Sequence, residues 1–330
     1  MIRTLFALFL ALGLSQAAAA RCTGTGYYES LSAQDQAAIN AATAATPYGT
    51  GRVWEARQGG TTITLIGTMH LPDRRHRTLL NALSDRLATA ELLLLEADAA
   101  EEARLQQALA SDPRLLLIPG PSLPERLPED EWQRLSRHMS DRNILPAMGS
   151  RFQPWFLSLM LSVPPCAMPG FLSGQGGLDK RLEQQATERS IPTASLERFD
   201  TVFNLFNTIP LDEQIEQLMI SLIDEDIARA QHVSMVDAYF DGETARIWET
   251  SKRAARTLPN LSAAEIEALL DQTEDLLITR RNEAWIPVIE NAARGRRHIA
   301  VAAGALHLPG EQGVLNLLAR RGWTITSLAR

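Results

Sequence analysis

Twice in this chain a short apolar run closes on Gly-x-x-His-Leu-Pro. The first is Thr61–Ile66 followed by Gly67-Thr68-Met69-His70-Leu71-Pro72. The second is His298–Ala303 followed by Gly304-Ala305-Leu306-His307-Leu308-Pro309. Runs this short, rich in Ile, Val and Thr and closed by Gly, read as buried strands. With 20 Gly and 6 His in 330 residues, chance supplies roughly 0.4 Gly-x-x-His matches, so two in the same setting constrain the fold. After the first, Leu79, Leu80, Leu83 and Leu87 fall at helical spacing within 73–90. Leu92-Leu93-Leu94-Leu95 then forms a short buried-type strand ending in Glu96. Strand, helix and strand make a βαβ unit, for which a parallel pair and a right-handed crossover are expected.

The C-terminus repeats the plan. A helix over 311–321 carries Val314, Leu315, Leu317 and Leu318 on its apolar side, Gly322 suits its C-cap, and 323–327 alternates as a last strand. Internal duplication and convergent turns both account for the repeat. Between the two units the pattern is mostly helical. Glu129, Asp130 and Glu131 form an acidic first turn for a helix over 128–139, and 152–163 is apolar with Trp155 and Phe156. A Gly-rich loop at 173–178 leads into a helix from Asp179, and 191–196 reads as a strand ending in Glu197. Long amphipathic stretches fill 211–239 and 263–293, the second broken or kinked at Pro287. The expected fold class is α/β. It has a mixed, largely parallel sheet with flanking helices, a large helical insertion at 101–295 and a single domain over 21–330.

Residues 1–20 read as a signal peptide. Met1-Ile2-Arg3 is positive, 5–14 is an apolar run too short to span a bilayer, and 16–20 ends in small residues. Cleavage after Ala19 or Ala20 removes one cation, leaving 31 Lys+Arg against 39 Asp+Glu, a net −8. Arg21 stands where a lipid-attachment signal calls for a small residue, and no later segment reaches membrane-spanning length without charges. The expected destination is a periplasm or the exterior, with no transmembrane anchor. The acidic balance argues against a nucleic-acid footprint, which needs a basic face. Cys22 and Cys166 are the two cysteines. In an oxidising compartment they are expected to form a disulfide that pins the N-terminal arm to the Pro164-Pro165-Cys166 corner.

Ligands of open α/β sheets gather at the carboxyl ends of strands, where His70, His307, Glu96 and Glu197 all fall. Glycine allows a sharp turn there, so that each histidine can point back over the sheet edge. Two imidazoles and one or two carboxylates suit a divalent transition metal with open positions, which lowers the pKa of a bound water. His76, His138, His232 and His298 read as surface or structural residues. By pattern alone, Arg280, Arg281 and Asn282 lie on the solvated face of a helix.

The chain resembles the TraB/GumN family, related to the Tiki metalloproteases and more distantly to haem-binding ChaN and erythromycin-esterase-like proteins. The resemblance spans roughly 50–330. It rests on Leu65-Ile66-Gly67-Thr68-Met69-His70, Leu94-Leu95-Glu96, Gly177-Leu178-Asp179, Leu196-Glu197, Tyr239-Phe240-Asp241-Gly242, Arg281-Asn282 and 304–310. It implies a metal site of His70, His307 and Glu96, with a polar contribution from Arg281 and Asn282. Arg198 follows Glu197 where many relatives carry Thr.

The resulting expectation is an exported metal-dependent hydrolase, a peptidase first, acting on a peptide or protein with Mn²⁺, Co²⁺ or Zn²⁺. Glu96 and Glu197 divide the roles of third ligand and general base. Arg281 stabilises an oxyanion or binds a carboxylate, and Asn282 orients a polar group. Gly67, Thr68, Asp179 and Gly304 are expected to shape the substrate-binding loops. The alternative is a non-catalytic periplasmic binding protein for a peptide, haem or a polysaccharide intermediate. The apolar stripes of 211–239 and 263–293 serve either core packing or a homodimer interface.

Overall fold

Strand residues that alternate in sequence are sorted onto the two faces of one sheet, and helices cover both. The computed structural model describes residues 22–259 and 261–329; the leader expected at 1–20 lies outside them. Six strands are present: β1 (Val53–Gln58), β2 (Thr61–Thr68), β3 (Leu93–Leu95), β4 (Thr193–Ser195), β5 (His298–Gly304) and β6 (Thr324–Ala329). Their order is β4-β3-β5-β2-β1-β6. The pairs β2–β5, β3–β5 and β3–β4 are parallel, and β1 is antiparallel to both β2 and β6. This is the expected mixed, largely parallel α/β sheet.

Two details depart from expectation. The strands of each βαβ unit are not neighbours: β5 lies between β2 and β3, and β6 crosses to the edge beside β1. The units are interleaved, because the apolar runs of β2, β3 and β5 are each covered on both faces and so take the middle of the sheet. The second departure is β1, which forms a hairpin with β2 through Gly59-Gly60, at φ of 55° and 92°. Two residues at positive φ suit the tight hairpin turn that matches strand twist, and Gly-Gly was its signal.

On one face Ile63, Leu65, Leu94, Ile299 and Val301 pack with Trp285 and Ile289 of the helix Arg280–Ala293 and Leu315 and Leu318 of the helix Val314–Arg320. On the other, Ile66, Leu93, Leu95, Ala300 and Ala302 meet Leu79 and Leu83 of the helix His76–Ala88 and Leu182 and Ala186 of the helix Leu178–Glu188. A third cluster, built on Leu123, Leu135, Met139, Leu157 and Leu218, organises the middle of the chain.

The two long helical stretches break where local chemistry requires. The first divides into Leu211–Ser221 and Glu225–Asp241. The side chain of Asp224 accepts the backbone N–H groups of Asp226 and Ile227, starting a new helix. The second runs through Pro287, which sits inside the helix Arg280–Ala293; its irregularity is instead a π turn over Asp275–Thr279, just before Arg281. Cys22 and Cys166 are joined, with S–S 2.06 Å. Among the described residues no helix is long and apolar enough to cross a membrane.

Candidate functional site

Interleaving β5 beside β2 decides the site. In that parallel pair Thr68 faces Gly304, so the two Gly-x-x-His turns leave adjacent strands at one level. On the other side of β5, β3 delivers Glu96 to the same edge. A Cβ on Gly304 would meet Glu96 Oε1 at 3.1 Å, His307 Cδ2 at 3.5 Å and His70 Nε2 at 3.8 Å. The three residues expected to act together therefore converge over an α-carbon that carries no side chain. Neither Gly67 nor Gly304 has a positive φ, so backbone conformation alone does not require glycine at either position. What glycine supplies at Gly304 is room for the Glu96 carboxylate, which accepts the Gly304 N–H at 2.6 Å.

Arg281 enters from the first turn of the helix Arg280–Ala293, directly after the π turn. Its Nη2 donates to Glu96 Oε2 at 2.6 Å and to Glu197 Oε1 at 2.7 Å, its Nε donates to Glu197 Oε2 at 3.0 Å, and its Nη1 lies 3.2 Å from His307 Nε2. Nη1 also donates to the carbonyl of Leu277 within the π turn at 3.3 Å. Glu197 takes a further bond from Trp285 Nε1 at 3.0 Å, and the guanidinium lies over that indole at 4.9 Å. Glu197 thus reaches the cluster through Arg281, gripping it with both oxygens. Arg281 is far from a solvated face: 10% of its side chain is exposed.

The two histidines have unlike surroundings. Asn282 donates its Nδ2 to the carbonyls of His307 and Gln312, so its Oδ1 is an acceptor, and it lies 2.7 Å from His307 Nδ1. These partners assign the proton to Nδ1 and a lone pair to Nε2, where Arg281 donates. Burial pushes the His307 pKa down to about 4; Glu96 opposes the shift, and Arg281 and His70 reinforce it. His70 is 62% exposed, and its Nδ1 lies 3.3 Å from Asp179 Oδ2. The hydrogen bond to Asp179 raises its pKa to about 9 against desolvation, with help from Glu96. Asp179 is delivered by the first turn of its helix, which starts at Leu178; Leu178 N–H donates to the Met69 carbonyl at 3.0 Å. Gly177 lies so close to Met69 and His70 that any side chain there would collide with their backbone.

Burial alone would raise the Glu96 pKa. The charges of His307 when protonated, of His70 and of Arg281, with the Gly304 N–H, overcome it and hold the carboxyl at about 2. Thr68 is buried at the end of β2, opposite Gly304.

Tyr239 is not among the residues expected at the site, although Tyr239-Phe240-Asp241-Gly242 is one of the marks of the family resemblance. Its buried hydroxyl donates to the Gly67 carbonyl at 3.0 Å, bracing the first Gly-x-x-His turn. Burial keeps that hydroxyl un-ionised. His76 supports the same turn: its Nε2 lies 2.9 Å from the Leu71 carbonyl and its ring packs on Tyr239 and Phe240, so it is a structural residue, as expected. A tyrosine placed among apolar helix positions needs a partner for its hydroxyl, and that was the available signal.

Two imidazoles anchored at Nδ1 and one carboxylate are donor types that suit a divalent ion. Their disposition differs from their chemistry. Among the described residues no group of three or more His, Cys, Asp or Glu side chains is set to hold a metal ion. Arg281 takes the Nε2 of His307 and an oxygen of Glu96, so the residues as placed do not fit a metal while the guanidinium holds them.

An interleaved α/β sheet with paired Gly-x-x-His turns, an acidic strand end and an Arg-Asn pair defines the class. The TraB/PrgY/gumN family profile matches residues 52–327, and the chain belongs to that family. It is 25% identical over 257 residues to the uncharacterized protein YbaP of Escherichia coli (strain K12), covering 77% of this chain and 86% of that one. The YbaP protein of Shigella flexneri matches to the same extent.

Proposed function

We propose that the chain is an exported hydrolase of peptide or ester bonds, working by acid–base chemistry in the space over Gly304. The observation that carries this reading is the contrast between the Nδ1 partners of His70 and His307. A carboxylate, Asp179, favours the imidazolium of His70. An amide oxygen of Asn282 and a donor from Arg281 favour the neutral ring of His307. Two groups whose environments separate their proton affinities are suited to act as acid and base.

In this reading Nε2 of His307 accepts a proton from the attacking water as Nη1 of Arg281 turns to the developing oxyanion. The guanidinium keeps its charge throughout, which suits that task. His70 gives its Nε2 proton to the departing nitrogen or oxygen. Glu96 and Glu197 hold Arg281 in place, since both have oxygens committed to it. The disulfide supports an exported, oxidising location, a periplasm in the first instance.

A second reading keeps the divalent metal. The anchored Nδ1 atoms and the open α-carbon of Gly304 favour it, and Arg281 would have to release Glu96 and His307. The test uses protein purified without chelator, assayed for metal content and for cleavage of peptide and ester libraries. Cleavage by metal-free protein, lost in His70→Ala and His307→Ala, supports the acid–base reading. Cleavage that requires added Mn²⁺, Co²⁺ or Zn²⁺ favours the second. No cleavage by the wild type under either condition overturns the hydrolase.

A further inference from the structure

A cavity of about 490 Å³ opens beside the site, among the end of the helix Ala33–Ala45, the helix Thr244–Ala255, the π turn and the residues after β5. Its volume falls in the range of small-ligand pockets. Two of its walls continue into the acid–base cluster. Leu306 precedes His307, and Leu277, which lines the cavity, gives its carbonyl to Arg281. The floor is apolar, from Leu277, Ile278, Leu306 and Pro309, and Trp248 adds an indole.

The charges around this cavity are unequal. Glu249 is paired with Lys252 at 3.0 Å, and Glu311 with Arg320 at 2.5 Å. Glu274 takes the Trp248 indole N–H at 3.2 Å, and no cation pairs with it among the described residues. The C-terminal end of the helix Ala33–Ala45 also faces the cavity through Ala45 and Thr46, adding partial negative charge. The chain itself shows what this environment holds: the ammonium of Lys252 lies 5.8 Å from the centre of the Trp248 ring while bonded to Glu249.

We propose that the cavity binds the side chain of a basic residue of a peptide, its aliphatic stem on the apolar floor and its cation on the Glu274 carboxylate, beside Trp248. The inference rests on the hydrolase reading for the fate of the peptide, but the binding is tested without turnover. The probes are the Nα-acetyl amides of arginine, lysine, norleucine and glutamate, titrated onto the mature chain with ¹⁵N-indole-labelled tryptophan. The Trp248 signal is assigned from Trp248→Phe.

The arginine and lysine probes are expected to shift the Trp248 indole signal and to bind about tenfold tighter than norleucine, whose neutral stem has no cation to offer. Glu274→Gln, a nearly isosteric change, is expected to bring them down to the norleucine value. Raising salt from roughly 50 to 500 mM is expected to weaken the cationic probes alone. Equal binding of norleucine and lysine, unchanged arginine binding in Glu274→Gln, or no shift of Trp248 with any probe would each overturn the proposal. A wild type that binds the cationic probes but cleaves nothing would refute the hydrolase and leave the binding site standing.

Discussion

The Nδ1 of His307 and the Oδ1 of Asn282 lie 2.7 Å apart, and this contact turns the other ring nitrogen toward Arg281 and Glu96. Asn282 is fully buried and its Nδ2 is spent on two backbone carbonyls, so it has no freedom to flip. Asn282→Asp would place a carboxylate on the ring and give up both donations. The His307 pKa is expected to rise from about 4 past the ordinary histidine value of about 6.5. NMR titration of the ring reads the change; a His307 still titrating near its wild-type value would contradict the assigned tautomer.

Asp179 sets the charge of His70 in the opposite sense. In Asp179→Asn the His70 pKa is expected to fall from about 9 back toward 6.5. Because the folded value is raised, this pair stabilises the protein below about pH 6.5 and loses that contribution as pH rises through about 9. The ring is more than half exposed, so solvent screening keeps the stability term small. Little change in the melting temperature is therefore expected, together with a marked loss of any hydrolysis. A large fall in melting temperature with activity intact would reverse this assignment.

Arg281→Ala leaves two half-buried carboxylates, Glu96 and Glu197, without their cation. A loss of about 3 kcal/mol in unfolding free energy is expected, measured by denaturant titration. The Glu96 pKa is depressed in the folded state, so its contribution is present above about pH 4.5 and disappears as pH falls through about 2. In the variant this carboxyl is expected to titrate higher, so the stability gap to the wild type should be widest near neutral pH and narrow as pH falls below about 4.5. The substitution also frees His307 Nε2 and Glu96 Oε2, so calorimetric titration with Mn²⁺, Co²⁺ or Zn²⁺ should show tighter binding than the wild type. Identical metal titrations would mean that Arg281 does not guard those atoms.

The Cys22–Cys166 bridge closes a sequence separation of 144. By the chain-entropy model, Cys22→Ser with Cys166→Ser is expected to cost up to about 5 kcal/mol. Thiol titration in denaturant should find no free thiol in the wild type before reduction and two afterwards. Equal titration with and without reductant would remove the bridge.

Much of the fold was legible because its signals are local. Periodicity in 76–88 and 314–320, β-branched runs in β2 and β5, and Gly-x-x-His at the ends of those strands can all be read within a few residues. Other local signals were present but weaker, as with Gly59-Gly60 for the β1–β2 hairpin and Asp224 for the start of a helix. At the candidate site, His70, His307 and Glu96 were legible as strand-end residues. The resemblance pointed to Asp179, Arg281 and Asn282, but their control of the protonation of His70, His307 and Glu96 was not legible, because they come from helices far off in sequence.

By itself the sequence determined an α/β chain with two strand-to-histidine turns, an acidic strand end and a pair of cysteines suited to an oxidising compartment. Only the tertiary structure decided that β5 lies between β2 and β3, that Glu197 is bonded to Arg281, and that the two histidines meet over Gly304 with opposite proton preferences. The physical reason is one of range. Strand and helix formation follow from apolar spacing along a few turns of chain, whereas strand order and the charge of a buried ring follow from what distant segments must cover and which groups they bring within hydrogen-bonding distance.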